Sequence, residues 1–431
     1  MHRFSFVFVC TFFYALLILT SVPGAQTSDS EMERALKLHK SVPLIDGHND
    51  YPIRVREQVA GDLSKLDITQ SQPNLMTDFA RLRAGGVGAQ FWSVFVPASM
   101  QGKQAVRATI EQIDTVYRMA ERWTDALEIS LTADDVERTF AKGMIASLIG
   151  MEGGHSIDSS LGTLRMFHRL GARYMTLTHG RNTPWADSST DEPEHGGLTK
   201  FGEAVVQEMN WLGMLVDLSH VSPDTMKDAL RVTTAPVIFS HSSARALCNV
   251  PRNVPYDVLK ILPENGGVVM VTFVPGFLSE EVAAHSQARN AEEARLKSKY
   301  PHSQASVDRG LINWDQTNPA PRATVAQIAD HMDHIRSIAG IDHIGIGSDF
   351  DGINAVPQGM EDVSKFLVLT VELIRRDYSD EDIKKILGLN VLRAMRQTET
   401  RSAELRRKRL PSAVTIEELD GYERPLRLVI P

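Results

Sequence analysis

The stretch VPLIDGHNDYP, residues 42–52, joins a short apolar run to a tip of polar residues. Residues 43–46 are typical of a buried strand, because the run is continuously apolar up to its end. His48 and Asp50 follow two residues apart, so at the period of a strand their side chains point the same way. A buried strand that ends in imidazole and carboxylate groups indicates a metal-binding edge.

Seven further apolar runs of this kind recur along the chain, with helical patterns between them. The eight runs are PLID (43–46), GAQFWSVFV (88–96), MIASLIGM (144–151), ARYMTLT (172–178), GMLVDLS (213–219), PVIFS (236–240), GVVMVTFV (267–274) and HIGIGS (343–348). The predicted helices between them include 104–123, 163–170, 200–212 and 223–232, the last capped by Ser222. This alternation predicts a parallel sheet covered by helices.

Eight strand-and-helix units predict an α/β fold, a (β/α)8 barrel of the TIM type, whose usual size is about 250 residues plus insertions. A doubly wound open sheet is the alternative. No Gly-x-Gly-x-x-Gly element follows the first strand, which removes the main sign of a dinucleotide-binding sheet.

The chain divides into three predicted segments. Residues 1–25 have the pattern of a cleaved secretory signal, with an uncleaved membrane anchor as the alternative. Residues 26–400 form the predicted barrel. A charged, strand-free insertion at about 279–321 follows the seventh strand, and we expect it to form helices over the barrel mouth or a mobile loop. Residues 401–431 are expected to form a peripheral arm.

The composition excludes some classes of function. The 431 residues carry 46 basic and 54 acidic side chains, a formal net charge of −8, so we predict no binding of nucleic acid. Cys10 lies in the predicted signal, and Cys248 alone would remain, as a small buried residue without a disulfide. The C-terminal stretch is too short for a lipid-anchor signal, so no stable membrane anchor is expected after processing.

Six of the eight predicted strands end in a histidine or a carboxylate. These residues are His48 with Asp50, then Glu152, His179, His220, His241 and Asp349. Each histidine alone more often satisfies a turn or the core, but strand ends converge on one mouth of a barrel. Three of these histidines with two of the carboxylates already exceed the needs of one four-coordinate ion. Two metal ions that share Glu152 would use them all, with a bridging water turned to hydroxide near neutral pH. His155 is expected to support the ligands.

With those residues in place, the chain resembles the membrane (renal) dipeptidase family of the metal-dependent amidohydrolase superfamily. The motifs that carry the resemblance are IDGHNDYP (45–52), GMEGGHSID (150–158), LTHGRNTPWADS (177–188), VDLSHVS (216–222), FSHSSAR (239–245), RNVP (252–255) and GIGSDFDG (345–352). They extend over residues 44–395. The resemblance implies a homodimeric (β/α)8 barrel with a binuclear zinc site that hydrolyses dipeptides.

The resemblance also implies roles for individual residues. Two Zn²⁺ ions per chain would be bound, one by His48, Asp50 and Glu152 and the other by Glu152, His220 and His241. His179 would bind substrate and stabilise the oxyanion, and Arg252 would bind the substrate carboxylate. Asp349 would contact substrate and carry the proton, with Asp351 as the alternative.

The chain departs from animal members of this family in three ways: it lacks disulfide cysteines, lacks a lipid-anchor tail, and has the insertion at 279–321. The first two predict an exported bacterial enzyme, periplasmic or secreted. The alternatives to a dipeptidase are another binuclear amidohydrolase activity on a lactone, β-lactam or phosphotriester, or a non-catalytic metal-binding relative.

Overall fold

The computed structural model describes residues 29–421, so the predicted signal at 1–25 lies outside the described residues. Its strands are β1 Leu44–Asn49, β2 Val87–Phe95, β3 Leu127–Ile129, β4 Ile145–Glu152, β5 Ala172–Thr176, β6 Leu215–Asp217, β7 Val237–Ser242, β8 Val268–Val271 and β9 Ile344–Ile346. Eight of them form a closed parallel barrel in the order β1-β2-β4-β5-β6-β7-β8-β9, which confirms the predicted (β/α)8 fold. The sequence analysis missed β3, which pairs only with the first residues of β4 and is too short to show a period.

Helices surround this barrel throughout the described residues. They are α1 Asp29–Ser41, α2 Tyr51–Val59, α3 Phe79–Ala84, α4 Lys103–Arg122, α5 Ala133–Ala141, α6 Leu161–Arg169, α7 Lys200–Leu212, α8 Pro223–Val232, α9 Tyr256–Asn265, α10 Pro275–Leu278, α11 Glu280–Lys299, α12 Gln304–Thr317, α13 Val325–Ala339, α14 Phe366–Arg375, α15 Asp380–Lys384, α16 Asn390–Lys408 and α17 Ile416–Asp420. Ser222 caps α8 as predicted, by accepting a hydrogen bond from the Thr225 backbone N–H. No helix within residues 29–421 combines the length and apolar composition needed to cross a lipid bilayer.

The barrel strands are buried almost without interruption, because helices cover their outer face and their inner side chains fill the interior. Two glycines let strands approach closely inside the barrel. A side chain at Gly347, just after β9, would overlap the carbonyl oxygen of Ser240 in β7, and one at Gly47 in β1 would press on the same oxygen. The interior is therefore packed and the open space lies at the mouth.

Two segments outside the barrel refine the sequence analysis. The insertion after the seventh barrel strand forms α11 and α12, which pack on each other through a small core of Leu296, Val307 and Leu311. It is helical as predicted, but the cavity at the barrel mouth is lined by Val274 and Phe277 just before it and by none of its own residues. The predicted boundary at residue 400 falls inside α16, which continues to Lys408 and packs on α7. Beyond Lys408, α17 also packs on α7, so the chain stays on the helical layer to the end of the described residues.

His39, near the end of α1, is buried between two other helices. Its Nδ1 lies 3.1 Å from the carbonyl oxygen of Gly85, which follows α3, and its Nε2 lies 2.7 Å from the hydroxyl of Thr370 in α14. The carbonyl can only accept, so Nδ1 donates and Nε2 accepts from Thr370 in the neutral ring. Burial lowers the pKa of His39 to about 4, against 6.5 for a free histidine, so the folded chain keeps this ring neutral.

We expect the contribution of His39 to stability to be present above about pH 6.5 and to be lost as the pH falls toward 4. In that range the unfolded chain binds a proton that the folded chain excludes, which costs up to about 3 kcal/mol of unfolding free energy. His39→Gln keeps one donor and one acceptor but does not titrate. The difference in unfolding free energy between the native chain and this variant, measured in urea, should therefore be smaller at pH 4.5 than at pH 7. An equal difference at both pH values would contradict this account.

Candidate metal centre

The carboxyl ends of the barrel strands bring the predicted residues together around one cavity of about 390 Å³. Its lining includes Asp50, Glu152, His179, His220, Arg252, Asp349 and Asp351. His48 at the end of β1 and His241 in β7 are fully buried and contact Glu152. Every candidate site residue from the sequence therefore belongs to one cluster.

Glu152, the last residue of β4, is surrounded by four histidines. Its Oε2 lies 3.5 Å from His48 Nε2, whereas its Oε1 faces the Nε2 atoms of His220 (3.0 Å), His241 (3.5 Å) and His179 (3.7 Å). Burial alone would raise the pKa of Glu152, but the charges of His48 and His179 and a hydrogen bond from His220 hold it well below the usual value. The ionised carboxylate of Glu152 thus has one histidine at Oε2 and three histidines at Oε1.

Three overlapping groups of side chains place their ligand atoms within 4.8 Å of one another. They are His48 with Glu152 and His241, Glu152 with His179 and His220, and His48 with Asp50 and Asp349. Imidazole nitrogen with carboxylate oxygen is the donor set that suits zinc and related divalent ions. The cluster can therefore hold metal.

Unsatisfied polar atoms in the same cluster support this fit. His48 Nε2 is buried without a hydrogen bond of acceptable geometry, although Asp50 Oδ2 lies 3.3 Å away. The Nε2 atoms of His220 and His241 face each other at 2.9 Å, and burial together with the charge of Arg252 lowers the pKa of both rings well below the usual value. With the proton of His241 on Nδ1, where Ser240 accepts it, the Nε2 of His241 presents a lone pair at this point that a cation can bind.

His48 and His241 are each oriented through their other ring nitrogen. The Tyr174 hydroxyl donates to the Gly47 carbonyl (3.1 Å) and so accepts from His48 Nδ1 (2.9 Å). A side chain at Gly150 in β4 would overlap the Tyr174 ring, so this glycine makes room for it. The Ser240 hydroxyl likewise donates to Asp217 (2.7 Å) and accepts from His241 Nδ1 (2.8 Å). Both Nε2 atoms are thereby aimed at Glu152.

His48 carries a proton when no cation is close. Burial opposes its charge, but Tyr174, Glu152 and Asp50 outweigh that effect and raise the pKa of His48 well above the usual value. A metal ion at its Nε2 must therefore displace a proton, which makes metal affinity dependent on pH.

Sequence reasoning missed the buried residues that hold these ligands in place. Asp217 accepts hydrogen bonds from the backbone N–H groups of Ser219 (3.1 Å) and Ser240 (2.8 Å), and so joins the ends of β6 and β7. Asp46 accepts from both the backbone N–H and the hydroxyl of Ser348 (2.7 Å each), and so joins β1 to the loop that carries Asp349. A carboxylate inside an otherwise apolar strand was the available signal for both aspartates.

Left-handed backbone conformations concentrate at the site. His220, Asp349 and Asp351, with φ of 67°, 65° and 65°, are three of the seven non-glycine residues with positive φ in the described chain. Each such conformation costs roughly 1–2 kcal/mol and lets the chain turn sharply after a strand. A side chain at Gly352 would overlap the carboxylates of Asp349 and Asp50, so this position has room for glycine only.

Arg252 is a buried cation with a free donor. It is 5% exposed, its guanidinium lies 5.3 Å from the centre of the Phe277 ring, and its Nη2 donates weakly to the His241 carbonyl at 3.4 Å. Its Nη1 has no hydrogen-bond partner among the described residues. Burial lowers the pKa of Arg252 to about 10, opposed by Asp349 and Glu152, so the group is still charged at neutral pH.

The two aspartates of the motif SDFDG have different surroundings. Asp351 Oδ1 accepts from the Met76 backbone N–H at 2.7 Å, which ties this carboxylate to the segment before α3. Asp349 lies beside His48 and Asp50. Burial and the nearby charges of Asp50 and Glu152 raise the pKa of Asp349 well above the usual value.

His179 and His155 lie at the edge of the cluster. The His179 ring packs 4.8 Å from Phe95 and 4.3 Å from His220, and about a quarter of its side chain is exposed to the cavity. Burial lowers the pKa of His155 to about 4, and its ring packs against Gly153, next to Glu152. His155 therefore packs on the backbone just after β4 and belongs to no group of candidate ligands.

Comparison with known proteins gives consistent results. Residues 32–409 match a family model described as membrane dipeptidase, peptidase family M19. Dipeptidase 3 of Rattus norvegicus is 42% identical over 375 residues, 85% of this chain and 67% of the rat protein. Dipeptidase verJ of Clonostachys rogersoniana is 40% identical over 389 residues, 88% of this chain and 90% of that protein. The crystal structure of the probable dipeptidase PvdM from Pseudomonas aeruginosa has a TM-score of 0.75 at 25% identity, covering 86% of this chain and 99% of that chain.

The hydrogen bond from His48 to Tyr174 provides a test of the metal centre. Tyr174→Phe removes the acceptor for His48 Nδ1, so the affinity for Zn²⁺ should fall by about 10- to 100-fold. Competition with a chelator measures the affinity. Tyr378→Phe is a matched control, since Tyr378 is also a buried residue but its hydroxyl donates to Asp333 between outer helices (2.7 Å). This control should lose stability and keep the native affinity, whereas unchanged affinity in Tyr174→Phe would contradict the assignment.

Proposed function

The chain belongs to the membrane dipeptidase family, peptidase family M19, and we propose on that basis that it is a zinc-dependent dipeptidase. Its relatives at 40–42% identity are dipeptidases, so it is a hydrolase of peptide bonds. The observation that carries the finer proposal is the position of Arg252, a buried cation with an unpartnered Nη1, in the cavity that Glu152 and its histidines also line. A dipeptide has its free carboxylate one residue beyond the scissile bond, which suits such an arrangement.

Two zinc ions per chain would share Glu152. We assign His48, Asp50 and Glu152 to one ion and Glu152, His220 and His241 to the other. The distances separate His48, which faces Asp50 and Glu152 Oε2, from His220 and His241, which face Oε1. His179 faces Oε1 as well, so the choice of His241 as the ligand follows the resemblance to the family motifs. When bound, the ions would polarise the scissile carbonyl and lower the pKa of a water molecule.

The remaining roles fall to three side chains. Arg252 binds the substrate carboxylate through its free guanidinium edge, a geometry suited to two parallel hydrogen bonds. His179 binds substrate and donates a hydrogen bond to the carbonyl oxygen as negative charge develops on it. Asp349 takes a proton from the attacking water and delivers it to the leaving amine, a role that its position beside His48 and Asp50 supports.

Asp349 is preferred to Asp351 for this role, because Asp349 lies beside His48 and Asp50, whereas one oxygen of Asp351 is bound to the Met76 backbone and Asp351 belongs to no group of candidate ligands. Arg252 favours a substrate with a carboxylate over a neutral lactone or a phosphotriester. The predicted export of the protein and its predicted homodimeric state stay predictions.

Metal content and activity should separate the proposed roles of Glu152 and His179. The purified chain should contain about two zinc ions. Glu152→Gln should lose metal and activity together, because it weakens a ligand of both ions, whereas His179→Ala should keep its metal and lose turnover. Elemental analysis after dialysis gives the content. A stable, active chain with one ion or none would exclude the binuclear scheme, and full metal in both variants would exclude Glu152 as a shared ligand.

The role of Arg252 predicts a preference for substrates with a free carboxylate. Amidating the C-terminus of a dipeptide should cost about 2–4 kcal/mol in kcat/KM, the usual range for loss of a desolvated charged partner. Arg252→Ala should lose a similar amount on the free dipeptide and little more on the amide, and Arg252→Lys should be intermediate because it keeps the charge but not the fork. Equal hydrolysis of acid and amide by the native enzyme would remove Arg252 from substrate binding.

A further inference from the structure

Arg252 lies on the segment between β7 and α9, and its guanidinium contacts a barrel strand through the weak hydrogen bond to the His241 carbonyl. We define the arginine loop as residues 243–254, between β7 and α9. The guanidinium of Arg252 lies over the ring of Phe277, which belongs to the short helix α10 beyond β8. The direction in which the Arg252 guanidinium points within the cavity therefore depends on how the arginine loop and α10 are fixed to each other.

One buried side chain, His331 in α13, bridges these two segments. His331 is fully buried, its Nδ1 accepts from the backbone N–H of Ala244 at 3.0 Å, and its Nε2 lies 3.1 Å from the carbonyl oxygen of Leu278. Nδ1 must accept, because the Ala244 N–H can only donate, and Nε2 must donate, because the Leu278 carbonyl can only accept. The two contacts therefore require the neutral ring with its proton on Nε2. Both ring nitrogens are satisfied, and His331 does not line the cavity.

A second bridge crosses the same gap beside Arg252. Asn253 is fully buried, and its Nδ2 donates to the carbonyl of Phe277 at 2.8 Å and to that of Cys248 at 2.9 Å. Its Oδ1 accepts from the backbone N–H of Ser243 at 3.2 Å, close to the end of β7. The last carbonyls of a helix have no partner within the helix, and here those of Phe277 and Leu278 are taken by Asn253 and His331.

We propose that His331, together with Asn253, is a positioning residue that places the Arg252 guanidinium over Phe277 for recognition of the substrate carboxylate. The inference rests on the proposed function of Arg252 and adds to it the elements on which that function depends. His331 acts only through the segments it joins, because it has no free nitrogen and no exposure to the cavity. Its removal should therefore affect recognition of the carboxylate and leave the rest of the catalytic machinery in place.

The test compares two substrates on the zinc-loaded, full-length enzyme. His331→Leu should lower kcat/KM for a free dipeptide by roughly 10- to 100-fold, mostly through KM, because a small misplacement of a binding group has a large effect. The same variant should change kcat/KM for the dipeptide amide little, and its zinc content should equal that of the native enzyme. In an Arg252→Ala background, His331→Leu should have little further effect on the free dipeptide.

His331→Gln is the conservative variant, since an amide can still accept one hydrogen bond and donate another. It should recover part of the preference for the acid, and it provides a folded variant if His331→Leu is unstable. His343→Leu is the matched control, because His343 is also buried and binds a backbone carbonyl, that of Gly267 at 2.7 Å, but lies at the opposite end of the barrel before β9. This control should lower stability without changing the ratio of acid to amide hydrolysis.

Three outcomes distinguish this inference from the proposal beneath it. Native enzyme that prefers the acid, with a preference reduced in His331→Leu or His331→Gln and not in His343→Leu, supports both. A native preference that survives in the His331 variants, with equal losses on acid and amide, overturns the positioning role alone. A native enzyme without any preference overturns the carboxylate-binding role of Arg252 and the inference with it.

Discussion

The carboxylate of Glu152 lies within 3.7 Å of four imidazole nitrogens in a buried site at the mouth of the barrel. Removing an ionised carboxylate from water costs several kcal/mol unless positive charge or hydrogen bonds compensate for it. The four histidines supply that compensation, and β4, which is paired with a strand on each side, presents Glu152 to them as its last residue. The remainder of the site is arranged around this charge.

The ligands around Glu152 are directed by polar side chains buried beneath them. Asp46 and Asp217 each join two neighbouring chain segments at the strand ends, and Tyr174 and Ser240 hold the outer nitrogens of His48 and His241. A buried polar network of this kind is stable only when its members are satisfied, which leaves few alternative arrangements of the mouth. Two of the buried atoms left without partners, His48 Nε2 and Arg252 Nη1, lie where a cation and an anion would complete them.

Much of the fold was predictable from short apolar runs and their polar ends. All eight barrel strands were predicted, and α7 and α8 begin and end where their patterns indicated. The three residues of β3 carry too little periodicity to be recognised. The boundary expected at residue 400 was misplaced because the charged stretch after it continues α16, where Arg406 binds the last carbonyls of α7 and stacks on Trp211. A run of basic residues has the same composition in a helix as in a free arm.

The sequence by itself determined which residues meet at the mouth, because a strand ends at a defined residue and parallel barrel strands end on the same side. It did not determine which oxygen of Glu152 faces which histidine, or that the Met76 backbone N–H binds one oxygen of Asp351. It also gave no sign that His331 reaches the arginine loop 87 residues earlier in the chain. These features depend on distances between segments that are remote in sequence, and such distances are set only when the helices and loops pack around the closed barrel.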